Sequence, residues 1–234
     1  MIDKRSDDLA AAFEGIGNGA SVMIGGFGDA GRPAFLIKAL LDSGLKDLHI
    51  ISNNAGDGET GLGALYHAGR VSRLSCSFPR GSLAALMEKM LRDGSLELEV
   101  MPQGTLAERI RAAGCGIPAF YTPTSYGTLV AKGKETREFN GRGHVLEMAL
   151  PADIAMVHAE KADRFGNLTF RNLSRNFCPL MASAAKRTIV QADQIVELGD
   201  IDPHMVHSPG IFTDFVYETR DVPDEAWTDW RKSA

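Results

Sequence analysis

The stretch Ser21–Leu40, "SVMIGGFGDAGRPAFLIKAL", runs from a buried-strand pattern through a cluster of glycines into a helical pattern. A strand, a tight glycine turn and a helix in immediate succession form the opening unit of an open α/β sheet. Gly26, Gly28 and Gly31 satisfy G-x-G-x-x-G. That spacing brings backbone N–H groups and a helix N-terminus up to a phosphate group. Read by itself it suggests a dinucleotide, with a turn that is merely tight as the equal alternative. A nicotinamide-binding unit also places a carboxylate about 20 residues on, at the end of the second strand. Here "DLHIIS" runs into Asn53 and Asn54, so the carboxylate is missing.

The same alternation continues along the chain. Leu9, Ala12, Phe13 and Ile16 form a helical stripe, and "PAFLIKALLDSG" is a helix that Pro33 can start and Gly44 stops. Strands are expected at "DLHIIS", "VSRLSCS" and "LELEV", and helices at "LGALYHAG", "SLAALMEKMLRDG" and, after a Pro102-Gln103-Gly104 turn, "TLAERIRAAG". From Lys134 the texture becomes hairpin-like, with turns at "FNGRG" and "ADRFGN", before "MASAAKRTIVQADQIV" rejoins the first pattern. The expected fold is α/β, an open and mostly parallel sheet with flanking helices. Residues 1–220 read as one domain, two small ones being the alternative, and 221–234 as a polar tail.

Composition narrows the partners. The 234 residues carry a net charge of -5, with no basic footprint for nucleic acid or anionic membrane. Three scattered cysteines, Cys76, Cys115 and Cys178, match neither a disulfide framework nor a zinc pattern and suit a reducing cytoplasm. The charged, amphipathic N-terminus is not a secretory signal, and no apolar run approaches membrane-spanning length. No metal site is expected: His204 and His207 have too few companions. Met87, Met90 and Leu91 read as core.

Polar groups recur where the strands should end: Asn53 and Asn54 after the second, Pro79 and Arg80 after the third, Gln103 after the fourth. In an open α/β sheet ligands collect outside the carboxyl ends of the strands, so these loops are expected to border one crevice. Taken singly, each has an ordinary structural explanation as a turn, cap or solvated charge.

These residues also carry a family resemblance. "GGFGDAGRP", "SNNAG", "CSFP", "PQGTLAERIRAAG", "YTPTSYGTLVAKGKETREF", "KADRFGNLTFR" and "RNFCPLMASAAK" resemble, in order from Leu9 to Tyr217, the first (A) subunit of family I coenzyme A transferases. "SNNAGDGE", "CSFPR" and "GKETREFNGR" are most similar to the A subunits that act on 3-oxoadipate, and the succinyl-CoA:3-oxoacid enzymes share most of the same motifs. Ser125, where the family has a glycine, and Cys178, at another small-residue position, are the departures.

The resemblance implies ping-pong transfer of coenzyme A between a thioester and a free carboxylate, through a glutamyl-CoA intermediate. CoA thioester is then a substrate and no cofactor is permanently bound. It assigns Gly25, Gly26, Phe27, Gly28, Asp29, Ala30 and Gly31 to the CoA-facing loop, Gln103 to an oxyanion contact, and Asn53, Asn54 and Arg80 to the substrate. The nucleophilic glutamate lies in an E-N-G motif of the B subunit. No E-N-G occurs in this chain, and Glu59 and Glu147 do not match it. An α2β2 assembly with the site at the subunit interface follows. The reading of a different class is a nucleotide or sugar-phosphate binding protein that uses the loop without catalysis.

Overall fold

A computed structural model describes residues 2–79 and 81–219. The chain begins with a short helix α1 (Leu9–Phe13), capped by the Asp8 side chain, and then β1 (Ser21–Ile24). Three strand-helix alternations follow: α2 (Ala34–Asp42), β2 (Leu48–Ile51), α3 (Leu62–His67), β3 (Val71–Cys76), α4 (Ala84–Arg92) and β4 (Glu97–Val100). Helix α5 (Gln103–Gly114) leads into β5 (Ala119–Thr122), β6 (Thr136–Phe139) and β7 (Arg142–Met148). The last elements are β8 (Ala152–Asp163), β9 (Leu168–Thr169), α6 (Cys178–Ala184), β10 (Ala185–Val196) and β11 (Phe215–Glu218).

The main sheet has the order β11-β10-β8-β1-β2-β3-β4, every neighbouring pair parallel, with β9 antiparallel on β8. The expected fold class is therefore the observed one. Parallel strands covered on both faces must be largely apolar on both, and "SVMI" and "LHII" are, apart from Ser21 and His49, whose side chains bond to Asp153 and Ser75. Val22, Ile24, Leu48 and Ile50 pack on one face with Leu36, Leu40, Leu65 and Met87 from α2, α3 and α4. Met23, Ile51 and Ala155 point to the other, toward Leu106 and Ile110 of α5 and Met181 of α6. A second, antiparallel sheet, β5-β7-β6, stands at the β4 side, tied in through α5. Its β6–β7 turn holds Asn140 and Gly141 at φ +52 and +74, as "FNGRG" requires.

Several sequence expectations need correction. Gln103 and Gly104 open α5 rather than forming a turn before it, with Pro102 at the cap, and Pro33 likewise sits at the cap of α2. Strand β5 is not among the expected strands, although Phe120, Tyr121 and Thr122 are all strand-favouring residues. The texture after Lys134 is hairpin-like only in β6–β7 and at the β8–β9 turn through "ADRFGN". Strand β8 itself is a twelve-residue central strand, paired parallel to β1 and β10. Its β1 partners lie about 130 residues earlier in the chain, beyond the reach of local pattern. Leu91 is 41 % exposed, whereas Met87 and Met90 are core. Tail residues 221–234 lie outside the described residues, and so does the proposed boundary at 220.

Candidate active site

The chain leaves β1 at the centre of the sheet, where the strand order turns: β2, β3 and β4 run out to one side, β8, β10 and β11 to the other. Loops at such a point cannot both cover the same strand ends, so a crevice opens between them. The glycine turn occupies it. Phe27 and Ala30 exchange backbone hydrogen bonds of 3.0 and 3.2 Å, which leaves Gly28 and Asp29 at the tip of a tight loop. Asn176 braces that loop from below, its Oδ1 accepting from Gly26 N (3.1 Å) and its Nδ2 donating to Ala30 O (2.9 Å).

The glycines divide by task. A Cβ on Gly25 would lie 2.6 Å from the Cys178 sulfur, and one on Gly31 would lie 2.5 Å from the Ser174 carbonyl oxygen. These two let the loop settle against α6 and the segment before it. Cys178, the departure noted in the sequence, fills the space that Gly25 leaves. Burial pushes its thiol up to about 12, so it is a packing group and not a nucleophile. Gly28 differs: at φ +59 nothing lies within 4 Å of its absent Cβ, and it faces open cleft together with Phe27 and Asp29. Of the seven loop residues expected at CoA, these three line the cleft, while the others shape the turn.

Across the cleft, of about 590 Å³, stand the ends of β2, β3 and β4. Asn53 is 5 % exposed. Its Oδ1 accepts from Gln103 Nε2 (2.9 Å) and from Ser77 Oγ (2.8 Å). Gln103 is exposed at the first turn of α5, where the cap gives no side-chain hydrogen bond. One amide N–H is engaged with Asn53, and the other is left for the cleft, at the positive end of a helix dipole. Asn54 also lines the cleft, but its Oδ1 accepts from Gly56 N (3.0 Å), the ordinary turn role weighed for it in the sequence. Arg80 lies outside the described residues.

Sequence reasoning missed Arg32, Asp57, Ser77 and Phe78. Arg32 reaches the cleft wall, where it pairs with Asp29 (2.8 Å). Asp57 accepts from the hydroxyl and backbone N–H of Ser82, and these bonds, with Arg32 nearby, hold its carboxyl below the usual range. Phe78 is 55 % exposed at the rim. The advance signal is that all four lie within the family motifs, Arg32 in "GGFGDAGRP", Asp57 in "SNNAGDGE", and Ser77 and Phe78 in "CSFP".

The other candidates fall away from this site. Glu59 is exposed in a loop. Glu147 is 2 % exposed and bound to Lys134 at 2.6 Å. His207 Nδ1 accepts from Phe170 N, a fold contact. Among the described residues no group of three or more His, Cys, Asp or Glu could hold a metal.

This geometry is a cleft with a neutral amide donor on one wall and an open glycine tip on the other, suited to an acyl group carried on an anionic ligand. The family described as Coenzyme A transferase matches residues 7–219. The chain belongs to the coenzyme A transferase family. It is therefore an enzyme subunit whose substrates are coenzyme A thioesters, which decides against the reading of the chain as a non-catalytic binding protein. It is 57 % identical over 212 residues to the A subunit of 3-oxoadipate CoA-transferase from Pseudomonas putida, covering 91 % of this chain and 92 % of that one. It is 50 % identical to the A subunit of succinyl-CoA:3-ketoacid coenzyme A transferase from Xanthomonas campestris, covering 90 % and 87 %. In fold it resembles an Escherichia coli O157:H7 acyl-CoA transferase solved as a thioester complex with CoA. The TM-score is 0.80 at 21 % identity, over 95 % of this chain and 48 % of that one. Among the described residues no helix is long and apolar enough to cross a membrane.

Proposed function

We propose that this chain is the A subunit of a 3-oxoacid CoA-transferase that converts succinyl-CoA and 3-oxoadipate to succinate and 3-oxoadipyl-CoA, working in the cytoplasm within an α2β2 complex that contains a B subunit. From the B subunit, a glutamate carboxylate attacks the succinyl thioester carbonyl and expels CoA thiolate, giving a mixed anhydride. The thiolate then attacks the glutamyl carbonyl and releases succinate, leaving a glutamyl-CoA thioester. The carboxylate of 3-oxoadipate repeats the sequence in reverse, and the glutamate is regenerated. Dividing the exchange in this way replaces one difficult step with several easier ones.

Each attack develops negative charge on an acyl oxygen, and we assign Gln103 to meet it. Its amide donates without adding a competing charge, and such a donor contributes most when held in advance. That single observation, an exposed Gln103 amide fixed on a buried Asn53 beside the cleft, carries the reading. Gly28 leaves room for backbone to approach the thioester. Asn53, Asn54 and Arg80 are assigned to the substrate side, and Arg32 lines the same cleft as part of an ion pair with Asp29.

The relative named for 3-oxoadipate, at 57 % identity, favours that acceptor, and the one named for 3-ketoacids, at 50 %, keeps acetoacetate as the second reading. Reconstitution tests both. The purified chain alone should be inactive, and addition of the B subunit should restore transfer, faster with 3-oxoadipate than with acetoacetate. Full turnover by this chain alone would overturn the division of labour; a preference for acetoacetate would overturn the acceptor.

A further inference from the structure

Gln103 has a long side chain at an exposed position, and an unrestrained glutamine has up to about 2 kcal/mol of rotamer freedom to lose before it can act as a fixed donor. Its restraint is the oxygen of the Asn53 side chain. An amide is a usable anchor only while its oxygen, and not its NH₂, faces the incoming donor. Rotated by half a turn, Asn53 would oppose two NH₂ groups and release Gln103. Something must hold Asn53 the right way round.

Ser77 is in place to do so. Its Oγ lies 2.8 Å from Asn53 Oδ1 and 3.0 Å from the Asn53 backbone oxygen. The same backbone oxygen accepts from the N–H groups of Ser77 (3.1 Å) and Phe78 (3.0 Å), so the exits of β2 and β3 are joined and the hydroxyl cannot drift away. The hydroxyl has a single proton, and because the Asn53 backbone oxygen already accepts from two N–H groups, that proton goes to Oδ1; turning the Asn53 amide would break the Gln103 bond and leave the hydroxyl facing an NH₂ group, with no fresh acceptor for its own proton. Ser75, two residues earlier, has the same side-chain chemistry but is committed elsewhere, to His49 and Glu99.

We propose that Ser77 is a positioning residue of the transfer reaction, acting through Asn53 to fix the orientation from which Gln103 presents its remaining N–H to the developing oxyanion. The proposal rests on the oxyanion role of Gln103 given above. It also revises Asn53, whose side-chain oxygen is spent on Gln103 and so is not offered to the substrate.

The test measures acylation of the partner's glutamate by succinyl-CoA in a single turnover of the complex assembled with its B subunit, with the KM for succinyl-CoA and complex assembly recorded alongside. Ser77→Ala should slow acylation about fivefold to tenfold, the effect of one hydrogen bond, with KM changed less than about twofold. Ser77→Thr, which keeps the hydroxyl, should restore most of the rate. In a Gln103→Ala background, Ser77→Ala should cause no further loss, because the group it positions is gone. Equal slowing in both backgrounds would mean that Ser77 acts directly on substrate or structure and would overturn the proposal. So would an unchanged rate in Ser77→Ala alone. A normal acylation rate in Gln103→Ala alone would instead remove the oxyanion role itself, and the positioning role with it.

Discussion

Two polar clusters sit on this sheet, and they differ in whether their hydrogen-bonding capacity is used up. Beneath the small sheet, Arg109 of α5 meets Glu99 of β4 at 2.6 Å and Glu147 of β7 at 4.0 Å, while Lys134 closes on Glu147 at 2.6 Å. Ser75 joins Glu99 to His49, and Arg109 Nε donates to the Met148 carbonyl (2.8 Å). Each charge there has an opposite partner, and the cluster fastens one sheet to the other. At the cleft, Ser77, Asn53 and Gln103 are also linked, but the chain of bonds ends on an amide that still has an N–H to give. A closed network fixes structure, and an open one has something left for a ligand. That difference distinguishes them better than residue type, since both use serines and both are built on β2, β3 and β4, one within the strands and the other just after them.

Substitutions on the two sides should therefore be read in different observables. The largest effect is expected in the closed cluster. Arg109→Ala leaves Glu147 buried with only Lys134 and takes the main partner from Glu99, and breaking such a pair costs about 3–5 kcal/mol. Denaturant unfolding of the complex should show that loss, with the specific activity of the molecules that remain folded unchanged. A slowed reaction at undiminished stability would erase the distinction.

The open cluster should behave in the opposite way. Gln103→Ala removes an oxyanion donor, for which about 2.7–4 kcal/mol of transition-state stabilisation, or about 10²–10³ in rate, is the expected loss. Acylation by succinyl-CoA should slow by that factor while the complex assembles and melts normally. Gln103→Glu should be as slow or slower, since it sets a negative charge beside a developing one. A merely destabilised complex with normal acylation would return Gln103 to the role of a helix-terminal side chain.

Acid should report on the closed cluster through His49. Burial, with Arg73 close by, lowers the pKa of His49 to about 4, so the folded protein holds it neutral. Between the unfolded value, about 6.5, and the folded one, the unfolded chain binds the extra proton. The contribution of His49 is thus fully present above that window and declines as pH falls through it. Allowing for its partial exposure, the loss is about 1–2 kcal/mol. His49→Gln should flatten the fall in melting temperature between pH 6.5 and 4; an unaltered slope would show that other groups cause it.

The smallest effect belongs to the small-sheet side. Ser125 has φ +72, a left-handed conformation that disfavours a side chain, which accounts for the family's glycine there. Ser125→Gly should raise stability by about 0.5 kcal/mol, the relief of strain being partly offset by a more flexible unfolded chain. Unchanged or lower stability would show that the serine side chain compensates for its backbone.

Much of the architecture was legible because its signals are short in range. Apolar tetrads, the glycine turn, the stop at Gly44 and the "FNGRG" hairpin each occupy a few consecutive residues, and backbone sterics and burial act on them directly. The family motifs placed Gln103, the asparagines and the loop at one cleft for the same reason: strand ends carry them. Strand β8 was lost among hairpins because what makes it central is a partner strand at the far end of the chain.

The sequence alone determined an α/β coenzyme A transferase chain without an E-N-G glutamate, together with the strand ends at which chemistry is available. Only the tertiary structure decided which way each polar group is spent. It turned Asn53 inward onto Gln103, 50 residues away, and Ser77, 24 residues away. It set Gly25 and Gly31 to packing while Gly28 faces the cleft, buried Glu147 under Lys134, and brought Arg32 to the cleft wall. A hydrogen bond depends on the direction and distance of two groups, and for groups this far apart in the chain only the folded backbone sets both.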